Sequence, residues 1–195
     1  GVGPRVLTPT ECDFGYRDSR FKREPDRFLI TAVDLRLNGK HELKTDYGAI
    51  QTELERLEIA NPTSSDVALA VTNIRRRKLP DWFFLGNSGS FFKNPVVPRS
   101  LHERLLAHYP DLPAYPIDAD RVKLPYGWLI DRAEYKGRRN GAVGTYRNQA
   151  LVLVNHGGAT GREVLAFSEE VQEVVRTKFG VELEREVRLT PAPCD

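Results

Sequence analysis

Methionine is absent from these 195 residues, and cysteine occurs only twice, at Cys12 and Cys194. Two cysteines near opposite ends form no CxxC pair and no metal spacing, so they read as plain thiols in a reducing, cytoplasmic compartment rather than as a disulfide framework. The lack of methionine fits a piece of a longer protein. No apolar run approaches the length of a membrane span. The opening Gly1-Val2-Gly3-Pro4-Arg5 is not a signal peptide. The net charge of +2 is too small to imply a nucleic-acid partner, and the basic run Arg75–Lys78 has no interleaved aromatics. The four histidines, His41, His102, His108 and His156, lack metal-ligand spacing, and His102 and His108 fall on different faces of one helix. There is no G-x-G-x-x-G and no Walker loop, so nothing here cradles a dinucleotide. Gly86-Asn87-Ser88-Gly89-Ser90 misses the nucleophile-elbow pattern at its last position, with no His/Asp partner in view.

What is present is a soluble, globular composition, 40% hydrophobic and 29% charged, long enough for one large or two small domains. Residues 27–37 are β-rich and end in alternation, with Val33, Leu35 and Leu37 against Asp34 and Arg36. Asn38-Gly39 marks a turn. Ile50, Leu54 and Leu57 predict a short amphipathic helix. Asn61-Pro62-Thr63-Ser64-Ser65 ends it and caps a second, in which Val67, Ala70, Val71 and Ile74 recur at helical spacing. Arg75–Lys78 closes that helix, where cations answer the macrodipole. Leu79-Pro80-Asp81 suggests a domain boundary. Ser100-x-x-Glu103 and Thr160-x-x-Glu163 read as capping boxes, and Gly180 as a helix-ending glycine. Residues 124–133 predict a short buried helix and residues 149–155 a β-run. A last strand puts Val181, Leu183, Val187 and Leu189 on one face and Glu182, Glu184, Glu186 and Arg188 on the other. Strands and helices mix without a βαβ rhythm, so the fold class is α+β, with expected divisions at 1–80, 81–180 and 181–195.

The most informative stretch is Gly86-Asn87-Ser88-Gly89-Ser90-Phe91-Phe92-Lys93-Asn94-Pro95. Flanking glycines, two hydroxyls, two aromatics, a lysine and an amide suit a backbone that approaches a ligand closely over an apolar wall. The stretch resembles the Gly-Ser-Phe-Phe-Lys-Asn-Pro signature of the MurB family, flavin-dependent UDP-N-acetylenolpyruvoylglucosamine reductases of peptidoglycan synthesis. Other segments resemble the family in the same order. They are Tyr16-Arg17-Asp18-Ser19 with Phe21-Lys22, Tyr47-Gly48, and Arg75-x-x-Lys78-Leu79-Pro80-Asp81. Gly127-Trp128-Leu129-Ile130-Asp131, Gln149 to Asn155 and Leu183-Glu184-x-Glu186-Val187-Arg188 follow. Ser88, where alanine is frequent, and Arg185, where proline is common, depart from the pattern. Taken singly, Tyr16–Ser19 also reads as a capped turn, and Glu186 as one more carboxylate on a wet face.

The resemblance implies the C-terminal half of such a reductase, without the N-terminal half that binds most of the FAD, and therefore unable to complete a turnover alone. In the family's reaction NADPH reduces FAD, and a hydride passes to the β-carbon of UDP-N-acetylglucosamine enolpyruvate. By resemblance, Arg17 is the cation and Glu186 the companion acid that meet the charge developing on the substrate carboxylate. Glu186 must be protonated to donate, which burial beside that charge favours. Ser90 is the general acid that protonates carbon, assisted by Lys93 or a backbone dipole. Tyr47 and Lys78 suit a diphosphate, Asn94 and Gln149 a uracil or sugar edge. A non-catalytic UDP-sugar-binding module is the alternative, and retention of Arg17, Ser90 and Glu186 together argues against it.

Overall fold

In the computed structural model, residues 3–39, 42–46 and 49–190 are described. The chain forms two compact units, residues 1–42 and 43–195. The expected break near Pro80 falls inside the second.

The first unit carries two single-turn helices, α1 (Pro9–Cys12) and α2 (Arg20–Arg23). Thr8 and Glu11 form a reciprocal capping box on α1. Between the helices Gly15 and Asp18 exchange backbone hydrogen bonds of 3.0 and 3.3 Å, a tight hairpin with Tyr16 and Arg17 at its tip. Arg23 fastens the turn through Asp13 and Asp18. The strand expected over 27–37 is not formed: among the described residues of this unit no segment pairs with it. Alternation supplies an apolar face, but a strand also needs a neighbour's hydrogen bonds. Leu29, Val33, Leu35 and Leu37 are consequently exposed.

The second unit begins with a helical hairpin, α3 (Ile50–Arg56) and α4 (Ser64–Lys78), closed over Ile50, Leu54 and Ala70. Thr63 and Asp66 cap α4 reciprocally. Glu53, only 3% exposed, is clamped by Arg56 at 2.7 and 3.0 Å and by Arg77 from the far end of α4. One member of the basic run is thus structural.

The chain then enters β1 (Gly86–Ser90), β2 (Val96–Pro98) and α5 (Arg99–Leu106). β3 (Tyr115–Pro116), β4 (Arg121–Lys123) and α6 (Tyr126–Arg132) follow. After β5 (Arg139–Asn140), β6 (Val143–Tyr146) and β7 (Gln149–Asn155) comes the long helix α7 (Gly161–Phe179). Two antiparallel sheets result, of order β1-β7-β6-β5 and β2-β4-β3, and the fold is α+β. Leu129 and Ile130 of α6 and Phe167, Val171, Val175 and Phe179 of α7 share one core with Phe91, Phe92, Val143 and Leu153.

The capping box on α7 forms at Thr160 and Glu163, and the helix stops at Gly180 in the left-handed conformation, φ 66°. The box expected at Ser100 does not form: α5 starts at Arg99 with Pro98 as its cap residue. Pro98 is still paired to Arg121 in β2, and Arg99 N–H donates to Asp120 O at 2.7 Å, so the chain turns straight from strand into helix. The closing strand is likewise reduced to an isolated bridge, Phe92 to Arg185. Val181 and Leu183 are buried as the alternation requires, but Leu189 is 54% exposed. Arg185 breaks the pattern because it reaches α7, where its Nε donates to Ser168 Oγ at 2.8 Å.

Glu53 sets a pH dependence. Hydrogen bonds from Arg56, then from Arg77, lower its pKa from 4.5 to about 2. A depressed carboxylate stabilises the fold fully above its unfolded pKa and loses that contribution as pH falls through the folded one. The melting-temperature advantage of wild type over Glu53→Gln is therefore largest above pH 4.5 and shrinks towards pH 2. An advantage independent of pH across that window contradicts this assignment.

Candidate functional site

The signature stretch is an edge strand interrupted by a bulge between Asn87 and Ser90. In β1, Asn87 opposes Val154 and Ser90 opposes Val152, so one extra residue is inserted. Gly89 makes this possible at φ 71°, a conformation that side chains with a Cβ rarely adopt. Asn87 fixes the bulge by accepting from Gly89 N–H at 3.1 Å and donating to Leu85 O at 2.9 Å. The inserted residue changes the face on which Ser90 emerges, and Ser90 is exposed while Phe91 and Phe92 beyond it are buried. The stretch is thus a bulged edge strand that exposes the Ser90 hydroxyl and buries the two aromatics after it.

The C-terminal segment crosses the same point. Glu186 N–H donates to Phe91 O at 2.9 Å, and Lys93 N–H donates to Glu184 O at 2.8 Å. Ser90 and Glu186, 96 positions apart in sequence, are therefore brought together. Lys93, expected to assist Ser90, has its ammonium engaged by Glu184. The group beside Ser90 is instead Tyr126, from the first turn of α6. Its phenol donates to Leu151 O at 3.0 Å. Burial pushes its pKa up to about 12; the Ser90 side chain and the Phe92 and Phe91 backbone oppose the rise, and the Glu186 charge adds to it. No sequence pattern singled out Tyr126, which reads there as one more apolar position of a buried helix.

On the other side of Leu151 lies an open groove of about 580 Å³, a typical ligand-pocket volume. Asn94 and Gln149 both line it, together with Tyr115, Lys123 and Trp128. Lys123 sits over the Tyr115 ring, 5.8 Å from its centroid. No sequence signal marks Tyr115 and Lys123, because β3 and β4 are too short for periodicity. Asn94 has a double duty: its Oδ1 accepts the Tyr126 N–H at 3.0 Å, leaving the amide NH₂ for a ligand. Gly127 lies against the groove floor, where an added Cβ would meet the Leu151 side chain at 2.7 Å. Lys78 is exposed at the end of α4. That end is tied to the β6–β7 turn by Asn148 Nδ2 donating to Arg77 O at 3.1 Å, and Asn148 also lines the groove. A second groove of about 410 Å³, with Arg139, Arg147 and His156, holds none of the expected residues.

Arg17 belongs to the first unit, exposed at its hairpin tip with φ 53° and its carbonyl accepting from Lys22 Nζ at 3.0 Å. Tyr47 lies outside the described residues, as do Gly48, His41 and Cys194. Among the described residues, no cluster of His, Cys, Asp or Glu could hold a metal, and no helix is long and apolar enough to cross a membrane.

In the second unit, an α+β domain, a serine, a buried phenol and a carboxylate thus lie near one another beside an open groove. The chain belongs to the UDP-N-acetylenolpyruvoylglucosamine reductase family: residues 80–190 match the family model of its C-terminal domain. It is 56% identical over 178 residues to the UDP-N-acetylenolpyruvoylglucosamine reductase of Pseudomonas aeruginosa, covering 91% of this chain and 52% of that protein. The reductase of Chromobacterium violaceum is 53% identical over 182 residues, covering 93% and 53%. That of Flavobacterium johnsoniae is 48% identical over 187 residues, covering 95% and 56%. The chain spans about half the length of these relatives.

The division of labour in Asn94 is testable in the full-length protein. Asn94→Asp keeps the oxygen that holds Tyr126 N–H and removes the amide donors. Stability should change by less than about 0.5 kcal/mol, whereas Asn94→Ala should lose about 1 kcal/mol. Affinity for UDP-N-acetylglucosamine, measured by titration calorimetry, should fall about tenfold or more in Asn94→Asp. Unchanged affinity would remove Asn94 from the ligand site.

Proposed function

We propose that this chain is the substrate-binding and proton-delivering part of an NADPH-dependent, FAD-containing reductase of peptidoglycan synthesis. It converts UDP-N-acetylglucosamine enolpyruvate to UDP-N-acetylmuramate in the cytoplasm. The observation that carries the reading is the meeting of Ser90 and Glu186 beside a groove lined by Asn94 and Gln149. A pure binding module needs the groove and has no use for the pair at its edge.

The groove's amides, lysine and aromatics suit a nucleotide sugar, and the FAD is bound mainly by the family's N-terminal half. When bound in the full-length protein, the flavin supplies the hydride. A polypeptide of these 195 residues alone is not expected to turn over. The chain's part is to seat the substrate, stabilise charge and deliver a proton. Asn94 and Gln149 address the uracil or sugar edges, and Lys78 and Tyr47 the diphosphate. Arg17 and Glu186 meet the negative charge on the substrate's carboxylate as the enolate forms. The Ser90 hydroxyl then gives its proton to the enolate carbon, from the one face that the bulged strand presents.

Ser90→Ala in the full-length protein should leave flavin reduction by NADPH unchanged and slow flavin reoxidation by the enolpyruvyl substrate about 10²- to 10⁴-fold. The hydroxyl is needed only after the hydride has moved. Stopped-flow traces with slowed reduction and normal reoxidation would reverse the role of Ser90.

A further inference from the structure

We propose that Tyr126 is the positioning residue for proton delivery: it holds the Ser90 hydroxyl in place and steadies the oxygen left when its proton departs. This rests on the reading of Ser90 as proton donor and adds a residue to it.

The phenol is fixed from three directions. The Tyr126 backbone N–H is held by Asn94 Oδ1 at 3.0 Å. The ring meets Phe92 edge-on, 5.9 Å between centroids. The hydroxyl donates to Leu151 O at 3.0 Å, and that same carbonyl accepts the N–H of Phe91, the residue after Ser90, also at 3.0 Å. One oxygen thus fastens both the phenol and the strand that bears the serine.

A phenol has one proton to donate and keeps acceptor capacity on its oxygen. Here the proton goes to Leu151 O, the carbonyl that also takes the Phe91 N–H, so the phenol sits next to the strand at Ser90, whose side chain acts on its acidity. Tyr126 is 3% exposed, and its burial keeps it protonated at any working pH. It is therefore no base, and it always carries a proton that can be turned towards Ser90. Two neighbouring donors are engaged elsewhere, the Lys93 ammonium by Glu184 and the Glu186 N–H by Phe91 O.

In the step itself, the Ser90 O–H bond breaks and its electron pair stays on Oγ. The enolate's electron pair forms the new C–H bond. The Tyr126 O–H turns about its C–O bond from Leu151 O to Ser90 Oγ, and no bond of Tyr126 breaks. Water, which reaches the exposed Ser90, then returns a proton to Oγ and leaves hydroxide. A preformed donor at an oxygen that becomes negative is among the larger single contributions a site can make.

The test is Tyr126→Phe in the full-length flavoprotein, which keeps the ring and removes only the hydroxyl. Flavin reduction by NADPH and calorimetric affinity for UDP-N-acetylglucosamine should match wild type. Flavin reoxidation by the enolpyruvyl substrate should slow on the order of 10- to 100-fold, as loss of a supporting partner typically does, with a larger solvent deuterium isotope effect. A wild-type reoxidation rate and isotope effect would overturn the proposal. So would weaker binding and a lower melting temperature with the isotope effect unmoved, which is what a merely structural tyrosine gives. Ser90→Ala separates the two readings. If it reoxidises normally, the serine reading fails and takes this one with it. If it is blocked while Tyr126→Phe is normal, only the tyrosine inference fails.

Discussion

The carbonyl of Leu151 is the point on which the site depends. It sits in β7, the strand between β1 and β6, and accepts the Phe91 N–H and the Tyr126 O–H, both at 3.0 Å. Through the first bond it fixes the backbone next to Ser90. Through the second it fixes α6, whose first turn faces the groove. A carbonyl has two lone pairs, and here both are used between buried partners, where an unmade hydrogen bond is costly. Glu186 joins through Phe91 O, on the opposite side of the same residue. Side chains from the edge strand, the short helix and the C-terminal segment are thereby referred to one short length of backbone.

That arrangement matches what proton delivery to carbon demands. A serine hydroxyl is a weak acid, and the structure engages Lys93, the ammonium expected to help it, with Glu184. It sets the serine at the exposed end of a bulged strand, backs it with a phenol too buried to ionise, and brings a carboxyl to the far side. Such groups need no reorganisation when charge appears, which is the main economy of a preorganised site. In the proposed reading the groove carries the ligand's bulk, and the edge carries the chemistry.

Much of this was legible in the sequence, for physical reasons that differ by element. The helices α3, α4 and α7 announce themselves through 3.6-residue periodicity and local caps, since Thr63–Asp66 and Thr160–Glu163 are short-range interactions. The groove's Asn94 and Gln149, and the pair Ser90 and Glu186, came through motif resemblance. The alternation over 27–37 misled, because pairing is a non-local property and no described segment supplies it. Ser100 misled for the opposite reason: β2 runs directly into α5 and leaves no room for a cap. Tyr126 was invisible because its importance lies in where its hydroxyl ends, 25 residues away at Leu151. Lys93 looked like the natural helper of Ser90, but its partner, Glu184, is 91 residues distant.

The central claim is that the edge formed by Ser90, Tyr126 and Glu186 is where the substrate reacts, with the groove at Asn94 and Gln149 holding its nucleotide. A crystal structure of the full-length protein with UDP-N-acetylglucosamine enolpyruvate bound tests this most directly. The account predicts the enolpyruvyl carbon within hydrogen-bonding reach of Ser90 Oγ, about 3 to 3.5 Å, and the uracil between Asn94 and Gln149. An enolpyruvyl group lodged away from Ser90, for instance against Arg147 and His156 in the second groove, would contradict it.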